Sequence, residues 1–275
     1  SSSAAAVDAL IYSDLSPTAP LSAIPASDLA GGARAIEGPV RVAACQLDAF
    51  LSAPSLCSDA VYGDAAPYVL ERLLESVYSW RRSGFGVATT ATRRELTYGE
   101  VSHHAIFSLV RGHVFPRAHA LSTSSTLVDV GSGVGKLVLG VAALSNATVA
   151  GVEVDEARHN LAVESLAEAV RAGHISAGRA ARVRLLHADA AALDTLPADA
   201  THVFLSDLCF PDELAERVVK QVAKLPRLQC VLSLRRWSAN LLEGAESCRL
   251  EHVRTLPMAM TWTDAQPVES YCCAE

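Results

Sequence analysis

One stretch, residues 127–137 with the sequence LVDVGSGVGKL, constrains the fold more than any other part of the chain. It begins with apolar and β-branched residues typical of a strand, passes through Gly131, Gly133 and Gly135, and ends in a pattern typical of a helix. The glycines allow a sharp turn and the close approach of a ligand, because they carry no Cβ atom. The helix would direct its free backbone N–H groups toward that ligand. The stretch therefore predicts a strand, a turn and a helix that together bind a small molecule.

Three ligand classes compete for this turn. A phosphate-binding P-loop ends in Gly-Lys-Ser/Thr and has another glycine five residues before that glycine. Here Val130 stands five residues before Gly135, and Leu137 follows the lysine, so the P-loop pattern is absent. A dinucleotide site prefers Gly-x-Gly-x-x-Gly, and the charge of Asp129 would repel a pyrophosphate. Asp129 would instead attract S-adenosylmethionine, which carries an ammonium and a sulfonium. The pattern favours S-adenosylmethionine and leaves a dinucleotide or a purely structural turn as alternatives.

Composition and net charge restrict the fold and the binding partners that this chain can have. Half of the residues are hydrophobic and 19% are charged, which suits a buried parallel sheet flanked by helices. The net charge of −7 argues against tight, nonspecific nucleic-acid binding by the whole surface. It leaves the arginine pairs at 81–82, 93–94 and 235–236 as candidates for local contacts with DNA. No apolar run has membrane-spanning length, so we expect a soluble intracellular protein without a membrane partner.

The seven cysteines are scattered and show no paired Cys-x-x-Cys spacing. Cys272 and Cys273 are adjacent, and are therefore poorly placed to bridge each other or to share a zinc ion. This pattern predicts reduced, buried thiols and no metal site.

Hydrophobic periodicity predicts the organisation of the chain. We expect a flexible or draped lead-in over residues 1–40, a mainly helical subdomain over 41–122, and a catalytic domain over 123–275. Strands and helices alternate from residue 126 onward, with strands predicted at 126–130, 148–153, 182–187, 202–206 and 229–234. Two further strands, 249–256 and 268–273, have no helix between them. The sequence therefore predicts an α/β, Rossmann-like fold whose seven-stranded sheet is mostly parallel and closes with an antiparallel hairpin.

Acidic side chains follow successive strands of this predicted sheet. Ligands of open α/β sheets bind beyond the carboxyl ends of the strands, where Asp129, Glu153 and Asp189 would lie together. Glu153 is placed to accept hydrogen bonds from the two ribose hydroxyls, and Asp189 is placed to accept one from the adenine amino group. The fourth strand ends in Ser206 next to the expected transferable methyl. The three acids behind the glycine turn predict an adenosine site.

At this point the sequence resembles a known family, the disruptor-of-telomeric-silencing (Dot-type, non-SET) histone-lysine N-methyltransferases. The resemblance starts at Tyr98-Gly99-Glu100 and continues through the glycine turn, the acids after the next two strands and residues 203–210. It includes residues 231–235 and the tail around Trp262 and Tyr271. The compact chain looks similar to the short kinetoplastid members. The resemblance implies a chromatin regulator in the nucleus that methylates a lysine in the folded core of a nucleosomal histone.

The resemblance also implies roles for individual residues. Trp262 and Tyr271 would line the lysine channel. From the chemistry of methyl transfer we expect in addition that Phe210 helps to shape this channel and that Ser206 orients the lysine nitrogen by a hydrogen bond. S-adenosylmethionine, and its product S-adenosylhomocysteine, would be held by Tyr98, Glu100, Asp129, Gly131, Ser132, Gly133, Gly135, Lys136, Glu153, Asp189 and Ala190.

Two departures from the family pattern lie near the expected site of methyl transfer. The family usually has Asn-Asn-Phe where this chain has Ser206-Asp207-Leu208, and it tends to have threonine in place of Val101. An enzyme that methylates a small molecule or RNA stays an alternative, as does a module that binds S-adenosylmethionine or histone without turnover. The sequence leaves open the lysine used, the number of methyls added, any dependence on modified nucleosomes and the oligomeric state.

Overall fold

The computed structural model describes Leu70 and residues 99–238 and 248–274. The predicted lead-in, most of the predicted helical subdomain, Tyr98 and the arginine pairs at 81–82 and 93–94 lie outside these residues. The proposed domain boundaries therefore stay predictions. Within the described part of the chain, no helix is both long enough and apolar enough to cross a membrane.

The described chain alternates strands and helices as the periodicity predicts. Its strands are β1 (Thr126–Val130), β2 (Thr148–Glu153), β3 (Val183–His187), β4 (His202–Leu205), β5 (Cys230–Ser233), β6 (Leu250–Met260) and β7 (Thr263–Cys273). Its α-helices are α1 (His103–Val110), α2 (Lys136–Leu144), α3 (Glu156–Arg171), α4 (Ala177–Ala180) and α5 (Asp212–Ala223). A short 3-10 helix spans Arg117–His119. The bounds of β1 and β2 match the predicted ranges, and the other strand boundaries within 126–234 differ by at most one residue.

The seven strands form one sheet in the order β3-β2-β1-β4-β5-β7-β6. β1 to β5 pair in parallel. β7 pairs antiparallel with both β5 and β6. The prediction of a mostly parallel sheet is therefore wrong, and the sheet is mixed. The reason is the length of the final hairpin: β6 and β7 have 11 residues each, whereas the parallel strands have four to six.

Helices on both faces of the sheet bury β1 and β4 completely. On one face, Val128, Val203 and Leu205 pack in a cluster with the apolar stripe of α5. Burial of a side chain of this size typically stabilises a fold by roughly 1.5–3 kcal/mol. The other face contacts α2, where the side chain of Ile106 from α1 lies directly on Gly140. The central strands are thus buried on both faces, and the loops after their carboxyl ends start from this packed core.

The prediction of reduced thiols is wrong for four cysteines. Disulfides join Cys230 to Cys272 and Cys248 to Cys273. Successive side chains of a strand point to opposite faces, so the adjacent Cys272 and Cys273 reach different partners. The antiparallel register sets Cys230 opposite Cys272, with Cα atoms 4.1 Å apart. Among the described residues, Cys209 is the free cysteine.

Candidate active site

The carboxyl ends of the parallel strands border a cavity of about 360 Å³. β1 lies between β2 and β4, and the chain order reverses there, which is where open α/β sheets bind their ligands. The residues that line the cavity are Gly99, Val101, Val130, Gly131, Val152, Glu153, Val154, Arg158, Ala188, Asp189, Ala190, Ser206, Leu208, Cys209, Phe210, Leu214, Val218, Leu234, Met260 and Trp262. The cavity thus brings residues predicted to bind the cofactor together with residues predicted to hold the methyl acceptor, which we call the acceptor residues.

The glycine loop, residues 131–135, follows β1 and leads into α2. Gly131, Gly133 and Gly135 have φ angles of 80°, 55° and 84°, a region that side chains with a Cβ atom rarely adopt. The N–H of Gly131 donates to the carbonyl of Val152 at 2.9 Å, which attaches the loop to β2. The predicted turn is confirmed, and the positive φ angles explain why glycine occupies these positions.

Glu153, the last residue of β2, organises the glycine loop as well as the cavity wall. Its side chain is buried and lines the cavity. One carboxylate oxygen accepts a hydrogen bond from the N–H of Gly133 at 2.7 Å, and the other accepts from the N–H of Asp155 at 2.8 Å. The sequence predicts a ribose-binding role for Glu153. The structure adds a second one, because this carboxylate fixes the central glycine of the loop.

Asp129 is a buried carboxyl group whose Oδ1 accepts no hydrogen bond from the described residues. Desolvation by burial, and next the charge of Glu153, raise the pKa of Asp129 to about 8. Asp129 does not line the cavity itself, but the next two residues, Val130 and Gly131, do. A buried acceptor without a donor is costly unless a ligand supplies the donor. The site therefore fits a ligand with a cationic hydrogen-bond donor, such as an ammonium group.

The other predicted cofactor residues surround the same region. Asp189 lines the cavity, with its Oδ1 accepting from the N–H of Ala191 at 2.8 Å, and Ala190 lines it as well. Ser132 is buried within the glycine loop. Lys136, the first residue of α2, forms an ion pair with Glu100. The two members of this pair are both predicted cofactor residues, but they are 36 residues apart in the sequence, and only the fold brings them together.

The segment 99–102 joins the glycine loop to the turn between β6 and β7. The N–H of Glu100 donates to the Thr261 hydroxyl at 3.1 Å, and the N–H of Thr261 donates to the Glu100 carbonyl at 2.9 Å. Val101 forms an isolated antiparallel bridge with Met260. The Glu100–Lys136 ion pair then connects this segment to α2. The cofactor side and the hairpin side of the cavity are therefore mechanically linked.

Three of the four predicted acceptor residues meet at the cavity. Ser206, Phe210 and Trp262 line it, and Trp262 is 45% exposed. Tyr271 does not line it, because its side chain is buried in the core. The Tyr271 hydroxyl accepts from the N–H of Trp237 at 2.8 Å, and the two rings stack with their centroids 4.9 Å apart. Its role in a lysine channel stays a prediction that this placement does not support.

The cavity also contains residues that sequence analysis does not single out. Arg158 is buried at its wall, and Leu208, Met260 and Leu234 supply apolar surface. Arg158 stands five residues after Glu153, in the first turns of α3. Arg158 lies in a helix that carries several surface charges, and neither its spacing nor its charge distinguishes it from them. The sequence therefore does not identify it as a cavity residue.

Gly99 makes room for the ring of Trp262. A Cβ atom at this position would lie 2.2 Å from a ring carbon, far closer than van der Waals contact. We expect Gly99→Ala to displace the indole, to change its fluorescence, and to raise the acceptor KM about tenfold, since small misplacements of an active-site wall have effects of this order. Gly178→Ala is the matched control, because a Cβ there has no neighbour within 4 Å among the residues that the structure describes. Unchanged fluorescence and KM in Gly99→Ala would exclude a role for Trp262 in the acceptor wall.

Fold and site together define a class of protein. A seven-stranded sheet of this order, a glycine loop after β1, and acids after β2 and β3 are the features of a Rossmann-like, S-adenosylmethionine-dependent methyltransferase. The prediction of this fold class and this cofactor is confirmed at that level.

A family model described as "Histone methylation protein DOT1" matches residues 91–270, about two thirds of the chain. The chain therefore belongs to the DOT1 family, as the sequence resemblance predicts. No curated protein matches the sequence significantly.

Several solved structures are similar to this chain at low sequence identity. The mitomycin 7-O-methyltransferase MmcR is 18% identical with a TM-score of 0.46, over 78% of this chain and 71% of that chain. The magnesium protoporphyrin IX methyltransferase ChlM from Synechocystis PCC 6803, with bound S-adenosylmethionine, is 14% identical with a TM-score of 0.46, over 74% and 97%. The putative RNA methyltransferase PH1948 from Pyrococcus horikoshii has the same identity and TM-score, over 74% and 98%. These likenesses carry no information on the substrate.

Proposed function

We propose that this protein is a histone-lysine N-methyltransferase that transfers methyl groups from S-adenosylmethionine to a lysine in the folded core of a nucleosomal histone. The observation that carries the proposal is the family match over residues 91–270. It is supported by a cavity that combines the predicted cofactor acids with an apolar, partly aromatic wall. A nuclear location and a nucleosome as partner are parts of the same proposal.

The residues of the cofactor side fit the proposed methyl donor. Glu153 and Asp189 have carboxylates at the cavity for the ribose hydroxyls and the adenine amino group. Asp129 has an acceptor oxygen for the ammonium, and the glycine loop lets the backbone approach the methionine part. When bound, the cofactor supplies an electrophilic methyl on a sulfonium, which is transferred to the lysine nitrogen as the sulfonium becomes a thioether.

The residues on the acceptor side of the cavity fit a lysine amine, which must be deprotonated before it can take up a methyl group. Phe210 and Trp262 would surround the lysine stem and exclude water, and such desolvation lowers the pKa of an ammonium. Ser206 lines the cavity, and its hydroxyl would orient the nitrogen by a hydrogen bond. This wall needs no dedicated base, because the proton is lost to water as the side chain enters.

The cavity mouth fits a protein surface better than a polyanion. Trp262 and Leu208 are exposed there, at 45% and 39%. Arg235, one of the arginines predicted to contact DNA, instead binds the Phe210 carbonyl and Asp212 within this chain. Its neighbour Arg236 is exposed and stays a candidate for contact with nucleosomal DNA.

The proposal is tested by offering radiolabelled S-adenosylmethionine with nucleosomes, free histones and RNA in parallel. We expect label in a histone of intact nucleosomes, and loss of that label when the acceptor lysine is replaced by arginine. Label in RNA alone, or none on any acceptor despite cofactor binding, would contradict the proposed function.

Gly133→Arg tests the cofactor assignment separately. Gly133 is buried, has a φ of 55° and donates its N–H to Glu153, so a long side chain would strain and displace the loop. We expect cofactor affinity to fall at least about a hundredfold, which corresponds to about 2.7 kcal/mol. Calorimetry with S-adenosylhomocysteine measures it. Gly178→Arg, at an open and exposed position, should bind normally. Normal binding by Gly133→Arg would show that the ligand lies elsewhere.

A further inference from the structure

We propose that Arg235 is a positioning residue for methyl transfer. It fixes the acceptor loop, residues 206–210, which connects β4 to the start of α5. The proposal rests on the proposed function for the identity of the acceptor, but the order of this loop is measurable without any acceptor.

The acceptor loop presents nearly all of its side chains to the cavity. Ser206, Leu208, Cys209 and Phe210 line it, whereas Asp207 is 1% exposed and turns toward β5. The loop is short and irregular, and its internal bond from the N–H of Phe210 to the carbonyl of Asp207 measures 3.1 Å. A single turn bond does not fix the direction of four side chains. Their position therefore depends on what holds the loop from outside.

Asp207 holds the first half of the acceptor loop. Its carboxylate accepts from the N–H of Leu234 at 2.9 Å and from the hydroxyl of Ser233 at 2.8 Å, and both donors are buried. The Nε1 of Trp237 lies 3.4 Å from the same carboxylate. These contacts attach Asp207 to the end of β5 but do not reach the backbone of Phe210, whose side chain packs against the hydrophobic core.

Arg235 holds the second half. It follows Leu234, and its Nη1 donates to the carbonyl of Phe210 at 2.8 Å, while its Nη2 forms an ion pair with Asp212. The Asp212 side chain is 85% exposed, and an ion pair in water contributes little. The charge-assisted bond to the partly buried Phe210 carbonyl is the stronger contact. Arg235 thus holds the backbone at the residue that forms the aromatic side of the cavity.

The planar guanidinium explains why arginine suits this position. It offers two donors in fixed directions, so that one side chain reaches a carbonyl in the loop and a carboxylate at the start of α5. A lysine has one nitrogen and would satisfy one of these acceptors well. We therefore expect Arg235→Lys to retain part of the loop order that Arg235→Gln loses.

The test compares Arg235→Gln and Arg235→Lys with Arg236→Gln, which removes the same charge at the exposed neighbouring position. Amide hydrogen exchange of the 206–212 peptide reports the order of the loop. We expect about tenfold faster exchange in Arg235→Gln, an intermediate rate in Arg235→Lys and no change in Arg236→Gln, because loss of a charge-assisted bond favours local opening.

Kinetics distinguishes positioning from a general loss of structure. We expect kcat on nucleosomes to fall about tenfold or more in Arg235→Gln, while cofactor affinity and exchange in β1 and β2 stay unchanged. Equal exchange of the 206–212 peptide in Arg235→Gln and Arg236→Gln would overturn the proposal, as would a matching loss of order in β1 and β2. Faster loop exchange in an enzyme that labels no nucleosome would contradict the proposed function alone.

Discussion

Asp129→Asn should make the cofactor-free protein more stable at pH 7–8 and should weaken its binding of S-adenosylmethionine. The side chain is buried, its Oδ1 has no donor among the described residues, and its pKa is raised to about 8. In the unfolded chain the same carboxyl ionises near its ordinary pKa of 3.8. Between these two values the folded protein binds one more proton than the unfolded chain does.

This difference fixes the sign of the pH dependence. The free energy of unfolding of the wild type should fall as the pH rises from about 4 to about 8, with a slope of about 1.4 kcal/mol per pH unit from this group. The asparagine variant lacks that slope. We expect the two proteins to be similarly stable near pH 4, and the variant to be more stable by several kcal/mol at pH 8.

Binding should show the opposite preference. An ammonium placed near Asp129 favours the ionised carboxylate, so binding releases a proton from the wild type. Cofactor affinity should therefore rise with pH between about 6 and 7.5, a window in which an α-amino group also remains charged. Asp129→Asn should bind more weakly, without this rise.

Urea unfolding at pH 5, 7 and 8 measures the stability, and calorimetry in buffers of different ionisation enthalpy measures the released proton. Asp264→Asn is the matched control, because it makes the same chemical change at an exposed position. A less stable Asp129→Asn at pH 8, combined with unaltered cofactor affinity, would show that Asp129 is a structural residue.

Local patterns predicted most of the described fold, because they report local physics. β1 and β2 have their predicted bounds, since β-branched runs beside a glycine turn have few alternatives. The pairing of the tail was predicted less well. Nothing local specifies that β7 lies between β5 and β6, and the two disulfides follow from that register.

The sequence predicts site residues whose position depends on a single strand. It does not predict contacts between residues that are distant in the sequence. Glu153, Asp189 and Ser206 reach the cavity because each follows a parallel strand. Tyr271 does not, because residues 268–272 of β7 are buried on both faces, and alternation along this strand does not reveal which face borders the site. The contacts Glu100–Lys136 and Arg235–Phe210 join distant positions, so only the folded chain reveals them.

Glu153→Gln should damage the cofactor site about as severely as Gly133→Arg. Both carboxylate oxygens of Glu153 accept from backbone N–H groups, those of Gly133 and Asp155. An amide has one oxygen, so its NH2 group must face one of these N–H donors. A buried donor left without an acceptor costs about 1–3 kcal/mol. We expect cofactor affinity to fall about a hundredfold or more, because the glycine loop and the ribose contact are disturbed together. Glu156→Gln, at an exposed position three residues further along, should bind normally.

The two acids should not contribute independently. The charge of Glu153 helps to raise the pKa of Asp129, so Glu153→Gln should lower that pKa and reduce the stability gained from Asp129→Asn. A double-mutant cycle on the free energy of unfolding at pH 8 measures this coupling, which we expect to be of order 1 kcal/mol. Strict additivity would mean that the carboxylates do not interact, and the raised pKa of Asp129 would then have burial as its single cause. A clear coupling would show that the two carboxylates interact electrostatically. Their repulsion would then lower the stability of the cofactor-free protein and favour the binding of a cation.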